Sequence, residues 1–390
     1  MKGKTYKSCV AIIALFVVFF IMNPTASFCD GSLPADNSVV NVRGKVTRII
    51  DSREEDIDYS GGSIQDTYQI VEIKVISAGP YKGRLIEAEY ALSMSFSEKQ
   101  EDAFLKPGNE VLMVLELDDI GGISQAYIYS VVRDKHLLLL LIIFSVIMLS
   151  VGRLKGLKAL ISLTLTVSAI IYILIPLILK GFDPVFVSIW ICVAIAGITL
   201  LLVGGYNKKT LAAIIGTSGG LVSAGVIAQI IGEMAKLTGL GDEESQMLMY
   251  IPQDISFDYK GLLFAGILIG ALGAAMDVGM SLSSAMFEIK EINPEIKKSN
   301  LLKAGMNIGR DMIATMSSTL ILAYTGGSLQ LMLLLMAHEI PFADIINQDG
   351  YATEVVRSLA GSIGLILTIP ITAIAVSFLS EKRHREKERY

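Results

Sequence analysis

The stretch NIGRDMIATMSST, residues 307–319, decides the fold class of this chain. It places Arg310 and Asp311 beside a run of hydroxyl residues, inside a segment that is otherwise apolar enough for a bilayer. An ionisable group at membrane depth costs about 3 kcal/mol, so such groups normally face a bundle interior or a water-filled cavity. The sequence therefore predicts a polytopic membrane protein with a polar seam inside its helix bundle.

The composition of the whole chain points to the same class. Of 390 residues, 52% are hydrophobic and 18% are charged, against about 25% charged in soluble domains. The net charge of −5 and the lack of a long basic face predict no nucleic-acid partner. Three widely spaced cysteines and three histidines predict neither a disulfide framework nor a metal site, and no cofactor is expected.

Residues 1–29 have the layout of a signal peptide or an N-terminal membrane anchor. Three lysines precede the apolar run Cys9–Met22, and Pro24 and small residues follow it. A cleaved peptide and an uncleaved first helix both export the segment that comes next.

Residues 38–134 show a β-type pattern, in which runs rich in Val, Ile and Tyr alternate with Gly and Pro turns. The runs are Val39–Ile50, Tyr68–Ile76, Arg84–Tyr90, Val111–Leu117 and Ala126–Val132. They predict a small exported all-β domain, an antiparallel OB-like barrel. Because no aromatic-lined basic face is evident, a lid, a spacer or a surface for an external protein partner is expected there rather than an oligonucleotide site.

Residues 136–381 are predicted to form an α-helical polytopic bundle of seven spans, most of them near the 20 or so residues that cross a bilayer. The spans are Leu137–Ser150, Leu157–Leu179, Val185–Val203, Leu211–Ile231, Gly261–Met286, Met312–Thr325 and Val355–Leu379. Basic loops and the basic tail, residues 382–390, predict a cytoplasmic side, and an acidic loop at 242–258 predicts the external side. The lipid bilayer is thus an expected partner, with the β domain outside the plasma membrane.

The segment Leu329–Ala337 is too short to cross, since nine residues span roughly 14 Å of helix, and Pro341 ends it. A full crossing would also put the basic tail outside. We predict a re-entrant half-helix that enters from outside and returns through Phe342–Gly350, as in the broken helices of transporters. The alternative is a short amphipathic segment on the external surface.

Two stripes of small residues predict close helix packing. The packing candidates are Gly266, Gly270, Gly273, Gly361 and Gly364. The first three share a helix face with Asp277, so its carboxylate is expected in a helix interface. Two roles are open for this carboxylate: it contacts a solute, or it only forms a hydrogen bond with a neighbouring helix.

Polar residues of the last third form a candidate substrate or ion path. Its members are Asp277, Arg310, Asp311, Asn347, Glu354 and Arg357. Carboxylates there could accept a proton or cation, and arginines could hold an anionic group or keep the carboxylates ionised. Glu354 and Arg357 are three apart and can pair within one helix. Ordinary interfacial charges at helix ends are the alternative for both charged pairs.

Three segments resemble a known family: GRDMIATMSSTLILAY at 309–324, EVVRSLAGSIGL at 354–365 and GALGAAMDVG at 270–279. In them the chain resembles the YibE/F-like family of bacterial multi-pass membrane proteins, a likeness that extends over the membrane part and the exported barrel. The resemblance implies a plasma-membrane protein of a Gram-positive bacterium. It supplies no activity, so no catalytic or binding residue is carried over from it.

The favoured function is a permease or secondary transporter of an unknown small solute or ion. The alternative is a non-transporting assembly or accessory protein whose exported barrel binds a partner. An enzyme is not expected, because no nucleotide motif is present and His338-Glu339 lacks the second histidine of a zinc protease. Whether the chain forms an oligomer is left open.

Overall fold

The computed structural model describes residues 39–59, 62–77, 79–93, 104–118, 122–251 and 257–380. The predicted signal peptide and the basic tail lie outside these ranges. Contacts divide the chain into two compact units, Met1–Ile147 and Met148–Tyr390.

Five strands close into a barrel in the order β1-β2-β3-β5-β4. The strands are β1 (Val39–Tyr59), β2 (Gly62–Val75), β3 (Leu85–Ser93), β4 (Glu110–Leu117) and β5 (Ile123–Val131). All five predicted strands are confirmed, but the antiparallel pattern is wrong at one pair, because β3 and β5 run parallel. A closed ring with an odd number of strands cannot alternate direction throughout, so one parallel pair is unavoidable.

Alternating apolar residues fill the barrel interior, as the period of two in a half-buried strand requires. In β4 the buried positions are Val111, Met113 and Leu115, and Ile73 of β2 packs with them. Each such side chain contributes roughly 1.5–3 kcal/mol relative to an exposed one. The buried Gln69 side chain accepts a 2.8 Å hydrogen bond from the backbone N–H of Leu105, so its carbonyl oxygen has a partner inside.

Helices make up the rest of the described chain. The long ones are α1 (Asp134–Ala169), α3 (Pro184–Gly204), α4 (Lys208–Met234), α6 (Tyr259–Ile292), α7 (Lys298–Gly327) and α10 (Asp349–Leu379). The short ones are α2 (Ile175–Leu179), α5 (Glu243–Met247), α8 (Leu329–Ala337) and α9 (Phe342–Ile346). By length and composition, five helices of the described ranges can cross a membrane, or six when α7 and α8, bent by 57°, count as one broken span.

The first two predicted spans lie in one 46-residue helical stretch, Asp134–Leu179. Arg153 interrupts it with φ 47° and ψ −125°, outside the helical region. A Cβ atom on Gly156 would meet the carbonyl oxygen of Met148, so the backbone closes tightly around this break. The predicted boundary near Gly152–Lys158 therefore coincides with a break between two helical segments.

Helix α7 starts at Lys298, whereas the sequence prediction started this span at Met312. Polar residues between these positions lower the local hydropathy without disfavouring a helix. Arg310 and Asp311 consequently lie about three turns inside α7 and not at its beginning.

Helices α4, α6 and α10 form the tightly packed part of the bundle. A Cβ on Gly220 of α4 would meet the hydroxyl of Thr368 and lie 2.6 Å from the carbonyl oxygen of Gly364 in α10. Helix α6 joins them through Thr217, whose hydroxyl donates a 3.2 Å hydrogen bond to the carbonyl of Ala275. Small residues thus bring three backbones into near contact, the small-xxx-small packing predicted for Gly364.

Candidate functional site

An ion pair near the start of α10 is the centre of the candidate site. The Nη1 atom of Arg357 donates to the Oε1 atom of Glu354 at 2.6 Å, and the side chains are 24% and 22% exposed. The spacing of three residues places both on one side of the helix, which is why they pair. Both side chains are half-buried, and in the described residues the guanidinium of Arg357 and the carboxylate of Glu354 are each other's ion-pair partner.

Tyr324 of α7 reaches the same place from a second helix. Its hydroxyl lies where a Cβ on Gly270 of α6 would be, and its ring is within electrostatic range of Glu354 and Arg357. Only glycine at position 270 leaves room for the phenol. Three helices, α6, α7 and α10, therefore converge on this ion pair.

Two hydrogen-bond donors at this convergence have no acceptor among the described residues: the Tyr324 hydroxyl and the Nε–H of Arg357. Both atoms are buried from solvent. A buried donor without a partner costs about 1–3 kcal/mol, and native proteins usually satisfy such groups. We name the cluster Tyr324, Glu354 and Arg357 the three-helix site.

An apolar layer closes the three-helix site on one side. A Cβ on Gly361 would lie 3.1 Å from a methyl carbon of Leu320 and 3.7 Å from the Cβ of Ala271. These residues come from α10, α7 and α6, the helices that supply the site itself. The layer places the polar groups at the edge of a packed core.

A loop contact fixes the start of α10, which carries the ion pair. One carboxylate oxygen of Asp349 accepts a 2.6 Å hydrogen bond from the Thr238 hydroxyl, and the other accepts from the Thr238 backbone N–H at 3.1 Å. Beside them, Gly241 and Gly350 approach so closely that a side chain on either would meet the other's backbone. The loop after α4 thereby holds the first turn of α10 in position.

Asp277, Arg310 and Asp311 do not join the three-helix site. All three are exposed, and no ion pair links them to another helix within the described ranges. Arg310 donates to the side-chain oxygen of Asn307 at 3.1 Å, within its own helix. The charges of α6, α7 and α10 thus do not meet in one cluster.

The geometry still places Asp277 beside α7. Asp277 follows Gly270 by two helical turns and so lies on the face that Gly270 turns toward Tyr324. Toward the C-terminal end of α6, the antiparallel helices α6 and α7 contact again, because a Cβ on Gly305 would meet the Met286 side chain. Between these contacts Asp277 lies at the level of Ser317, whose buried hydroxyl has no partner in the described part of the chain. Helical spacing thus puts Asp277 and Ser317 at one level of the α6–α7 pair, and we call the exposed line of Gly273 and Asp277 on α6 beside α7 the open stripe.

The remaining predicted residues are distributed differently. Asn347 is exposed after α9 and donates to the carbonyl of Ala343 at 2.6 Å, away from the ion pair. Gly266 and Gly273 are exposed, with no atom within 4 Å of an added Cβ, so the close helix packing predicted there is not seen.

Sequence reasoning missed Tyr324, Thr238 and Asp349. Tyr324 is the only aromatic residue of α7, and that isolation was the one available signal. The Thr238–Asp349 contact joins positions 111 apart, so no local pattern could reveal it.

A family comparison accounts for the bundle that carries these groups. The model of the YibE/F-like protein family matches residues 140–382. The chain belongs to the YibE/F-like family. The matched range contains the whole three-helix site and the open stripe, and it begins after the barrel strands.

Neither a search of curated proteins nor one of solved structures found a match for this YibE/F-like chain. Within the described ranges, no three His, Cys, Asp or Glu side chains are grouped as metal ligands would be. The three-helix site itself offers a carboxylate, a guanidinium and a phenol.

Proposed function

We propose that this YibE/F-like protein is a permease or secondary transporter whose three-helix site contacts a small solute or ion during passage. The observation that supports this most is the pair of unsatisfied donors, Tyr324 Oη and Arg357 Nε, beside a half-buried carboxylate. A passing oxygen acceptor, such as a carboxylate, a phosphate or water, would satisfy both donors. Polar groups of this kind inside membrane helices commonly mark a solute or proton route.

The open stripe continues this route in our proposal. Asp277 lies on the α6 face that Tyr324 also contacts, two turns further along, and Ser317 faces it at the same level. A solute leaving the ion pair could then pass a second carboxylate without crossing the packed α4–α6–α10 interface. Arg310 and Asp311 would lie at the far end of the stripe.

We infer seven spans for the bundle. The Arg153 break divides Asp134–Leu179 into two spans, and α7 with the bent α8 counts as one, so that α8 re-enters and does not cross. This count puts the barrel outside the plasma membrane and the basic tail in the cytoplasm, in agreement with the positive-inside tendency. The barrel's strand order, with β1 closing on β4, supports an OB-like assignment.

The topology has a simple labelling test. Single cysteines placed at residues 346–350 are expected to react with a membrane-impermeant thiol reagent added to intact cells, and cysteines in the tail only after lysis. Tail labelling in intact cells would mean that Leu329–Ala337 crosses the membrane, and it would rule out the seven-span count.

Transport itself is tested with purified protein in liposomes, using electrogenic currents evoked by a panel of inorganic phosphate, small carboxylates and amino acids. The wild-type chain is expected to give currents that Arg357→Ala and Asp277→Asn reduce strongly. Glu291→Gln, at the exposed end of α6, is the matched control and should leave them unchanged. Normal folding with the same currents in both variants would remove the site from the mechanism.

The same assay addresses the accessory function. A folded wild-type protein that gives no current with any solute of the panel, together with a barrel that captures an external protein partner, would favour assembly work over transport. We propose no enzymatic activity with either the transport function or the accessory function.

A further inference from the structure

The barrel carries a groove of about 560 Å³, lined by residues of β1, the end of β2 and the adjoining turns. Three lysines surround it: Lys45 from β1, Lys74 from β2 and Lys82 from the turn between β2 and β3. Apolar atoms dominate its lining, with contributions from Val46, Val75 and the 41% exposed Ile76. Its volume falls within the range of roughly 300–1,000 Å³ typical of small-ligand sites.

The lysine amines of this basic groove are left without acidic partners. Lys45 and Lys74 are direct cross-strand neighbours, an arrangement of like charges that disfavours the sheet. The one carboxylate opposite Lys45, that of Glu110, binds Lys135 instead at 2.5 Å. The lining is apolar, so the three lysines contribute mainly their aliphatic stems to it, and none of their ammonium groups has an ion-pair partner in the described ranges.

The groove lies at the end of the barrel that is tied to the first turn of α1. Arg43 forms a 2.7 Å ion pair with Asp134, and its carbonyl accepts from the N–H of the groove residue Ile76. On the other side of β1, Glu110 of β4 is the cross-strand neighbour of Lys45 and forms an ion pair with Lys135 of α1. Beyond these two residues α1 continues with exposed leucines such as Leu137 and Leu140, a surface suited to lipid. The basic groove is therefore next to the point where α1 enters the apolar phase.

We propose that the basic groove binds the headgroup of an anionic phospholipid at this bilayer surface. The lysine amines would contact the phosphate oxygens, and Ile76 would lie against the glycerol and upper acyl carbons. This combination of cationic and apolar contacts suits an amphiphile better than a fully solvated anion. The site is independent of solute passage through the bundle.

The test uses the full chain in an uncharged detergent, titrated with fluorescent short-chain phosphatidylglycerol or phosphatidylcholine and followed by anisotropy. Lys74→Gln and Lys82→Gln should each weaken phosphatidylglycerol binding about fivefold, and Lys74→Arg should restore it. Arg53→Gln is the matched control, because Arg53 is 71% exposed and pairs with Asp51 outside the groove.

A lysine-dependent preference for phosphatidylglycerol that Arg53→Gln leaves intact is the result we expect. An equal loss in Arg53→Gln would assign the binding to general surface charge and overturn the proposal. A second arm adds inorganic phosphate to the lipid-free protein. If phosphate binds with the same lysine dependence and displaces the lipid, the ligand is a soluble anion and the lipid assignment is wrong.

Discussion

Two glycine-bearing faces of the bundle look alike in sequence and differ in the structure. The α4–α10 face brings Gly220, Gly364 and Thr368 into direct contact. On the α6 face with Gly266, Gly270, Gly273 and Asp277, the Tyr324 side chain meets Gly270, whereas Gly266 and Gly273 are exposed and contact nothing within 4 Å of an added Cβ. Small residues at helical spacing permit close approach, but they do not say which face another helix covers.

Charge distinguishes the two faces. The closed α4–α10 face carries neutral hydroxyls, among them that of Thr368, which donates to the carbonyl of Gly364 in its own helix at 3.0 Å. The open stripe carries Asp277, and α7 beside it carries Arg310 and Asp311. A charge is stabilised by water far better than by a packed helix interface, so the charged face is the one that stays open.

The largest effect is expected at the closed face. Gly220→Val places methyl groups against the backbone of α10 and should lower the free energy of unfolding by about 3 kcal/mol or more. Gly273→Val, the matched change on the open stripe, should stay within about 0.5 kcal/mol. Thermal unfolding of both variants in detergent measures the difference, and equal losses would mean that both faces are packed.

A smaller loss is expected at the ion pair. Arg357→Met leaves the Glu354 carboxylate half-buried without its partner and should cost about 1–3 kcal/mol. Adding Glu354→Gln should recover part of this loss, because the unpaired charge is removed. Chemical denaturation of the single and double variants tests this. A double variant less stable than Arg357→Met would contradict the pairing as the cause.

Tyr324 is expected to separate stability from function. Its hydroxyl has no hydrogen-bond partner in the described residues, so Tyr324→Phe should leave the unfolding free energy unchanged or raise it by up to about 1 kcal/mol. The liposome currents should nevertheless fall. A destabilised variant would show that the hydroxyl is satisfied in the folded protein, and unchanged currents would exclude it from the route.

A small gain in stability is expected at Gly266. Because an added Cβ meets nothing, Gly266→Ala should raise the unfolding free energy by about 0.5–1 kcal/mol through helix propensity alone. A melting-temperature shift in detergent reports it. A clear destabilisation would indicate that a helix covers this face in the bilayer.

The sequence predicted the elements better than their arrangement. Runs rich in Val, Ile and Tyr between Gly and Pro turns located all five strands, and long apolar runs located most of the bundle, because both signals are local. It misplaced the start of α7, since the polar residues before Met312 hid a helix that begins at Lys298. The parallel β3–β5 pair follows from closing five strands, a global condition that no single strand carries.

The candidate site was predictable only where its partners are near in sequence. Glu354 and Arg357 are three residues apart on one helix, and that spacing indicated their contact. The position of Tyr324 in the site depends on the approach of α7 to Gly270 of α6. The contact of Asp349 depends on Thr238, which is 111 positions away in the sequence. The basic groove assembles lysines from β1, β2 and a turn, so their proximity exists only in the folded barrel.

Water access to the open stripe is the most direct test of the central claim, that a polar route runs between α6 and α7. In a background with Cys9, Cys29 and Cys192 replaced by alanine, Asp277→Cys is compared with Ile198→Cys, which lies on an apolar exposed surface of α3. In liposomes, a charged membrane-impermeant thiol reagent should modify the cysteine at 277 much faster than the one at 198. Equally slow modification at both positions would place the stripe against lipid and contradict the route.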